Sequence, residues 1–127
     1  MTATVLTATG LTFITDKMDS TTTASTYWIG WGTGGSSTGG TATSADTGLK
    51  ASATEAWQAA TLSQPTDASN RFVATITAGT AKTIEEAGVF AGTATGSVKL
   101  LIRASHGGQT LATGDAIQYT FDMTNTT

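Results

Sequence analysis

The chain has 127 residues, no cysteine, six Lys and Arg against nine Asp and Glu, and a net charge of −3. That length suits one domain, and the missing cysteines exclude disulfides and thiolate chemistry. The bases Lys17, Lys50, Arg71, Lys82, Lys99 and Arg103 are scattered and no apolar run nears the ~18 residues of a membrane span, so neither nucleic acid nor a membrane is an expected partner.

In chain order, "TATVLTAT" (2–9) reads as an edge strand or an N-terminal arm. The opening "MTATVLTATG" has no basic head, which argues against a secretory signal, and the absence of cysteine fits a product of the cytosol. In "GLTFITDKM" (10–18) Leu11, Ile14 and Met18 fall at i, i+3 and i+7, a spacing that admits one short helix near residues 10–18. Phe13 fits neither that stripe nor a strand. "STTTAST" (20–26) is a polar loop. "YWIGWGTGG" (27–35) begins as a strand, with Tyr27, Ile29 and Trp31 on one face and Trp28, Gly30 and Gly32 on the other. From Thr33 to Thr47 the chain is mostly glycine, serine, threonine and alanine, which predicts one long flexible loop. "TEAWQAATL" (54–62) suits a strand or, through its alanines, a helix.

The second half is clearer. "RFVATIT" (71–77) puts Phe72, Ala74 and Ile76 on one face. "TIEEAGVF" (83–90) is a weaker strand, in which Gly88 marks a bulge or a close backbone neighbour. "SVKLLIR" (97–103) alternates through Val98, Leu100 and Ile102, with Leu101 breaking the polar face. "AIQYTFDM" (116–123) alternates without a fault: Ile117, Tyr119, Phe121 and Met123 face one way, and Gln118, Thr120 and Asp122 the other. "PTDASN", "AGTA", "GTATG" and "HGGQTLATGD" supply the turns. Short strands at this spacing predict an all-β fold, an antiparallel β-sandwich or jelly roll. Residues 10–127 form one domain and 1–9 its arm or edge strand.

Gly30, Gly32 and Gly35 match G-x-G-x-x-G, and Glu55 lies downstream where a ribose-binding acid would sit. A dinucleotide site also needs a helix starting at the third glycine. "SSTGGTATS" follows instead, with no apolar stripe to seat a helix. The glycines therefore read as room for Trp28 to lie over them, or for a crossing strand; the alternative is that Trp28 anchors a subunit contact.

No catalytic constellation can be assembled, so no enzyme, cofactor or metal is expected. His106 stands alone in a turn, where a histidine is ordinarily solvated. Glu85 and Glu86 are adjacent and on a strand would face opposite ways, so they make no acid pair; Glu86 is expected to take local hydrogen bonds near Gly88. Asp16, Asp19, Asp46, Asp67 and Asp115 lack calcium-loop spacing. Trp28, Trp31 and Trp57 would stack sugars if exposed, but core packing is the commoner use. One number is out of line: 12% of residues are charged, against roughly 25% in ordinary domains. Either this is a threonine-rich β surface, or much of the surface is covered in an assembly.

The motifs "YWIGWGTG" (27–34), "TEA" (54–56), "TIEEAGVF" (83–90) and "TGDAIQYTFDM" (113–123) occur in an order that resembles small tailed-phage structural proteins, the capsid decoration or cement proteins. Some relatives of that family are labelled tail-fibre proteins. The likeness runs from Gly10 onward; it departs at Val89, where Leu is usual, and at Tyr119, where Phe is usual. The resemblance implies a jelly-roll sandwich that forms a homotrimer on the outer surface of the virion capsid, bound to the major capsid protein, with no catalytic residues. Expected subunit or capsid contacts are Thr2, Thr4, Val5, Trp28, Trp57 and His106. Residues 2–7 are expected to add as a strand to the capsid protein, so that truncation before Thr9 leaves the fold intact. The alternative is a tail-fibre or host-receptor module that binds carbohydrate through Trp28, Trp57 and the loop from Thr33 to Thr47.

Overall fold

The computed structural model describes residues 3–18, 26–35, 40–92 and 99–124. The chain is an all-β sandwich of two antiparallel sheets with one helix. In order, the elements are β1 (Ala3–Leu6), α1 (Ala8–Met18), β2 (Thr26–Gly32), β3 (Gln58–Ala59), β4 (Thr61–Thr66), β5 (Ser69–Thr77), β6 (Lys82–Gly92), β7 (Lys99–Leu111) and β8 (Ala116–Thr124). One sheet runs β1-β7-β6-β2-β3 and the other β4-β5-β8. Between them lies the core: Ile29, Trp31, Ala87 and Val89 from the larger sheet meet Phe72, Ala74, Ile76 and Phe121 from the smaller.

β5 and β8 pair through nine consecutive residues, Ser69↔Thr124 to Thr77↔Ala116, with no slip. Their alternation is regular because one face packs on the core and the other meets solvent. β6 behaves differently: from Ile84 to Gly92 every residue is buried. Its inner face meets the smaller sheet and its outer face lies under another part of the chain. A strand covered on both sides loses the period-2 pattern, which is why "TIEEAGVF" reads weakly.

Two register slips shape the β6–β7 pair, one between Ile84 and Glu86 and one between Val89 and Phe90. At the second, Leu101 and Ile102 both join the core, while Leu100 turns the other way and lies with Leu49 over Gly88. Gly88 thus marks both a nearby slip and a close neighbour. The expected face of Val98, Leu100 and Ile102 does not hold: Leu100 and Ile102 pack on different sides, and Val98 lies outside the described residues. At the first slip β7 carries extra residues around His106, Gly107 and Gly108, so His106 sits in a bulged strand and not in the expected turn.

The N-terminal segment belongs to the domain. β1 pairs with β7 from Ala3↔Ser105 to Leu6↔Ile102. Thr7 is fully buried and caps α1: its hydroxyl accepts from Gly10 N–H (2.9 Å) and donates to Leu100 O (2.6 Å). A side chain at Gly10 would begin 2.5 Å from Leu101 O, so glycine lets the helix sit on the β7 backbone. That seating selects Phe13, three residues on, as the buried side chain; Leu11 is exposed, contrary to the stripe read from Leu11, Ile14 and Met18. Phe13 then packs edge-on against Tyr27, and Tyr27 against Phe72. Of the two expectations for this segment, arm or edge strand, the structure has the edge strand, so truncation before Thr9 would remove that strand and the helix cap together.

Candidate interaction surface and the buried charge cluster

The outer face of the larger sheet is closed by the segment that follows β2. The described part of the expected long loop, residues 33–35 and 40–47, is irregular as expected, and a buried arginine bonds it to the sheet. Arg103 is completely buried. Its Nε donates to Glu86 Oε1 (3.0 Å), Nη1 to Asp46 Oδ2 (2.9 Å), and Nη2 to the carbonyls of Gly34 (2.7 Å) and Gly40 (2.6 Å). Glu86, also fully buried, accepts further from the N–H groups of Gly34, Lys50 and Ala51 at 2.8–3.0 Å. Ser105 Oγ accepts from Ala42 N–H (3.0 Å). Glu86 was expected to bond locally; its partners come instead from residues 34, 50, 51 and 103.

Asp46 completes the cluster. Burial pushes its carboxyl up, but hydrogen bonds from Thr43 N–H, Lys50, Arg103 and the Thr43 hydroxyl together hold it down at about 2. No buried side-chain nitrogen or oxygen among the described residues lacks a partner. An isolated buried charge costs several kcal/mol; here each is paired and its remaining bonding capacity is directed at loop backbone. The cluster is a clamp, and its internal saturation leaves no group poised for acid–base work.

The glycines serve this closure. Trp57, not Trp28, lies over Gly30, and its indole stacks on Phe90 with centroids 4.0 Å apart and planes 14° apart. Gly32 and Gly34 leave room for the Lys50–Ala51 backbone and the Glu86 carboxylate, and Gly35 for Glu85. Trp31 is buried and donates to Glu55 Oε1 (3.0 Å). Glu55 also accepts from Gly79 N–H (2.9 Å) and pairs with Lys82. Burial would raise the Glu55 carboxyl; Lys82, Gly79 and Trp31 outweigh it and hold it at about 2. The acid that matched a ribose ligand in spacing is thus a structural tie beside Trp31.

Of the expected contact residues the structure brings two together: Trp28, opposite Phe90, and Trp57, stacked on Phe90 and seated over Gly30, share the outer face of β2 and β6. Thr4 is exposed and Val5 half-buried on β1, while Thr2 lies outside the described residues. Trp28 is half-buried on β2, opposite Phe90. Trp57 is half-buried on the loop. His106, half-buried at the β7 bulge, donates from Nδ1 to Gly107 O (2.8 Å), which leaves Nε2 to accept from the Tyr119 hydroxyl (3.0 Å). Burial pushes the Tyr119 phenol up. His106 thereby ties the bulge of β7 to β8.

Among the described residues, the outer face of the smaller sheet contains none of the expected contact residues. Thr61, Thr75, Thr77, Gln118 and Thr120 are exposed there, and the ion pair Arg71–Asp122 is its charged element. Period-2 alternation in "RFVATIT" and "AIQYTFDM" carries the signal, since their polar positions fall on one sheet face. Among the described residues no group of three or more His, Asp or Glu is placed to hold a metal ion. Comparison with protein-family models, curated proteins and solved structures finds no match.

Proposed function

We propose that the chain is a virion structural protein, a cement protein that binds the outer surface of a mature phage head as a trimer. The observation that carries this is where the charge goes. Among the charged residues, Arg103, Asp46, Glu85 and Glu86 are buried, and Lys82 and Glu55 are nearly so, paired with each other. A chain already poor in charge spends much of it inside, so its surface is poorer still. A free monomer ordinarily keeps a mixed-charge surface for solubility, whereas a subunit covered by neighbours has no such need. The ordered motifs that resemble decoration proteins support the same reading.

The mechanism is linkage. A protein that binds the expanded lattice and not its precursor stabilises the former by mass action. A trimer that touches several capsid subunits at once gains through effective concentration. The rigid clamp suits a load-bearing part, because little ordering entropy is lost when a preformed surface docks. The tail-fibre alternative would draw on Trp28 and Trp57, but the Trp57 indole is already stacked on Phe90 and seated over Gly30.

The test is to add labelled chain to heads that lack it, image the particles, and then heat them. The expected result is label on heads and a higher temperature of DNA release. Label on tail tips, or heads no more heat-resistant than before, would refute the proposal.

A further inference from the structure

The smaller sheet has two edges, and they are treated differently. β4 carries Pro65 and a register irregularity between Ser63 and Thr66, both devices that discourage a further strand. β8 carries neither: it has nine residues in unbroken register with β5, no proline and no lysine, and Asp122 as its one charge. Among the described residues no strand pairs with its other edge. An open hollow of about 490 Å³ lies between β8 and the β7 bulge at His106. A long, regular, unprotected edge is a template for strand addition.

We infer that β8 pairs antiparallel with β8 of a second copy of this chain, across a two-fold axis, to give a continuous six-stranded sheet. The sequence of the strand points to its own copy as the partner. Backbone N–H groups alternate in direction along a strand, so a two-fold pairing must set some residue opposite its own copy. The midpoint of "AIQYTFDMT" is Thr120, and centring there is the register that uses the full length. That register sets Tyr119 opposite Phe121, Ile117 opposite Met123, and Gln118 opposite Asp122. Aromatic meets aromatic, aliphatic meets thioether, and an amide meets the carboxylate. No two like charges are opposed. Such matched pairs are the unit of sheet stabilisation, and a self-complementary patch is what an isologous contact requires.

This inference is independent of the capsid reading and concerns the free protein. Combined with a three-fold contact elsewhere, the two-fold would join trimers in pairs; acting alone, it gives a dimer.

The test is the mass of the full chain across a dilution series, with hydrogen exchange at the two ends of the series. The expected result is an even-numbered assembly, with concentration-dependent protection confined to 116–124. Gln118 is exposed and faces Thr75 on β5, so changing it leaves the fold alone. Gln118→Asp puts a carboxylate opposite Asp122 of the other copy twice per dimer and should weaken association about tenfold; Gln118→Lys should tighten it by a similar factor. A chain that stays monomeric, one that forms only odd-numbered assemblies indifferent to residue 118, or two variants that shift association in the same direction would overturn the inference. A trimer unaffected by either variant would leave the cement proposal standing while removing this one.

Discussion

The outer faces of the two sheets solve the same problem in opposite ways. On the larger sheet a glycine-rich segment folds back and seals the face, and the polar groups beneath it are satisfied by Arg103, Glu86 and Asp46. On the smaller sheet nothing among the described residues covers the face; threonines and one exposed ion pair meet solvent. The first face costs backbone order and buried charge, and gives rigidity. The second gives a flat surface free to meet another molecule. A fork of arginine on carboxylate occurs on both, so the pair of sites separates what the contact contributes from what its surroundings contribute.

Arg103→Ala should have the largest effect. It would take the buried cation from two buried carboxylates and a donor from two loop carbonyls, a class of change that costs about 3–5 kcal/mol. Against a total of about 5–15 kcal/mol for a domain this is severe. A urea melt should show a much lower midpoint, and proteolysis should cut first between residues 40 and 50. An unchanged midpoint would mean that the clamp does not hold the covering segment.

That clamp was hardly legible in the sequence. β5 and β8 could be read because one face of each is solvated and the other is not. β6 was legible only as a weaker strand, since cover on both sides erases alternation. Arg103 sits at the polar phase of "SVKLLIR", where an exposed side chain is the natural reading, and its partners lie up to 69 residues away. One clue was present: Asp46 is the sole charged residue between Tyr27 and Leu49, and a lone acid in a segment of small residues asks for a partner. The buried face of α1 was misread for a related reason, because Gly10, which has no side chain to count, sets the contact.

Gly34→Ala should come next. Its Cβ would begin 2.6 Å from Lys50 Cβ and 2.8 Å from Glu86 Oε2, inside the sealed layer. Overpacking of this kind costs typically 1–3 kcal/mol. A change on the bare face, Thr75→Ser, meets no such neighbour and should lower the urea midpoint far less. Equal losses for the two variants would erase the distinction between the faces.

Acid should weaken the fold through two structural carboxylates, Asp46 under the sealed face and Glu55 beside Trp31. The carboxyls of Asp46 and Glu55 titrate at about 2 in the fold, below their ordinary values of 3.8 and 4.5. A depressed folded value means that the unfolded chain binds protons first as pH falls. The stabilisation is complete above about pH 5 and is lost progressively as pH drops through 4 toward 2. Asp46→Asn should lower stability at neutral pH and flatten the acid limb of a melting-temperature profile. A variant whose profile keeps the wild-type slope would remove Asp46 from the account.

Arg71→Ala should have the smallest effect, although its contact with Asp122 is better formed on paper than most. Nε and Nη2 both donate to that carboxylate, at 2.7 and 2.9 Å, and lower its pKa. Yet both side chains are more than 40% exposed. Water and salt screen the attraction, and holding two long side chains in register costs entropy. The variant should melt with wild type in high salt and nearly so in low salt. If Arg71→Ala instead matched Arg103→Ala, burial would not be what makes the inner fork strong, and the bare face would have to be covered in solution. The second outcome has its own signature: the loss would grow with protein concentration, because an assembled face buries what a lone molecule exposes.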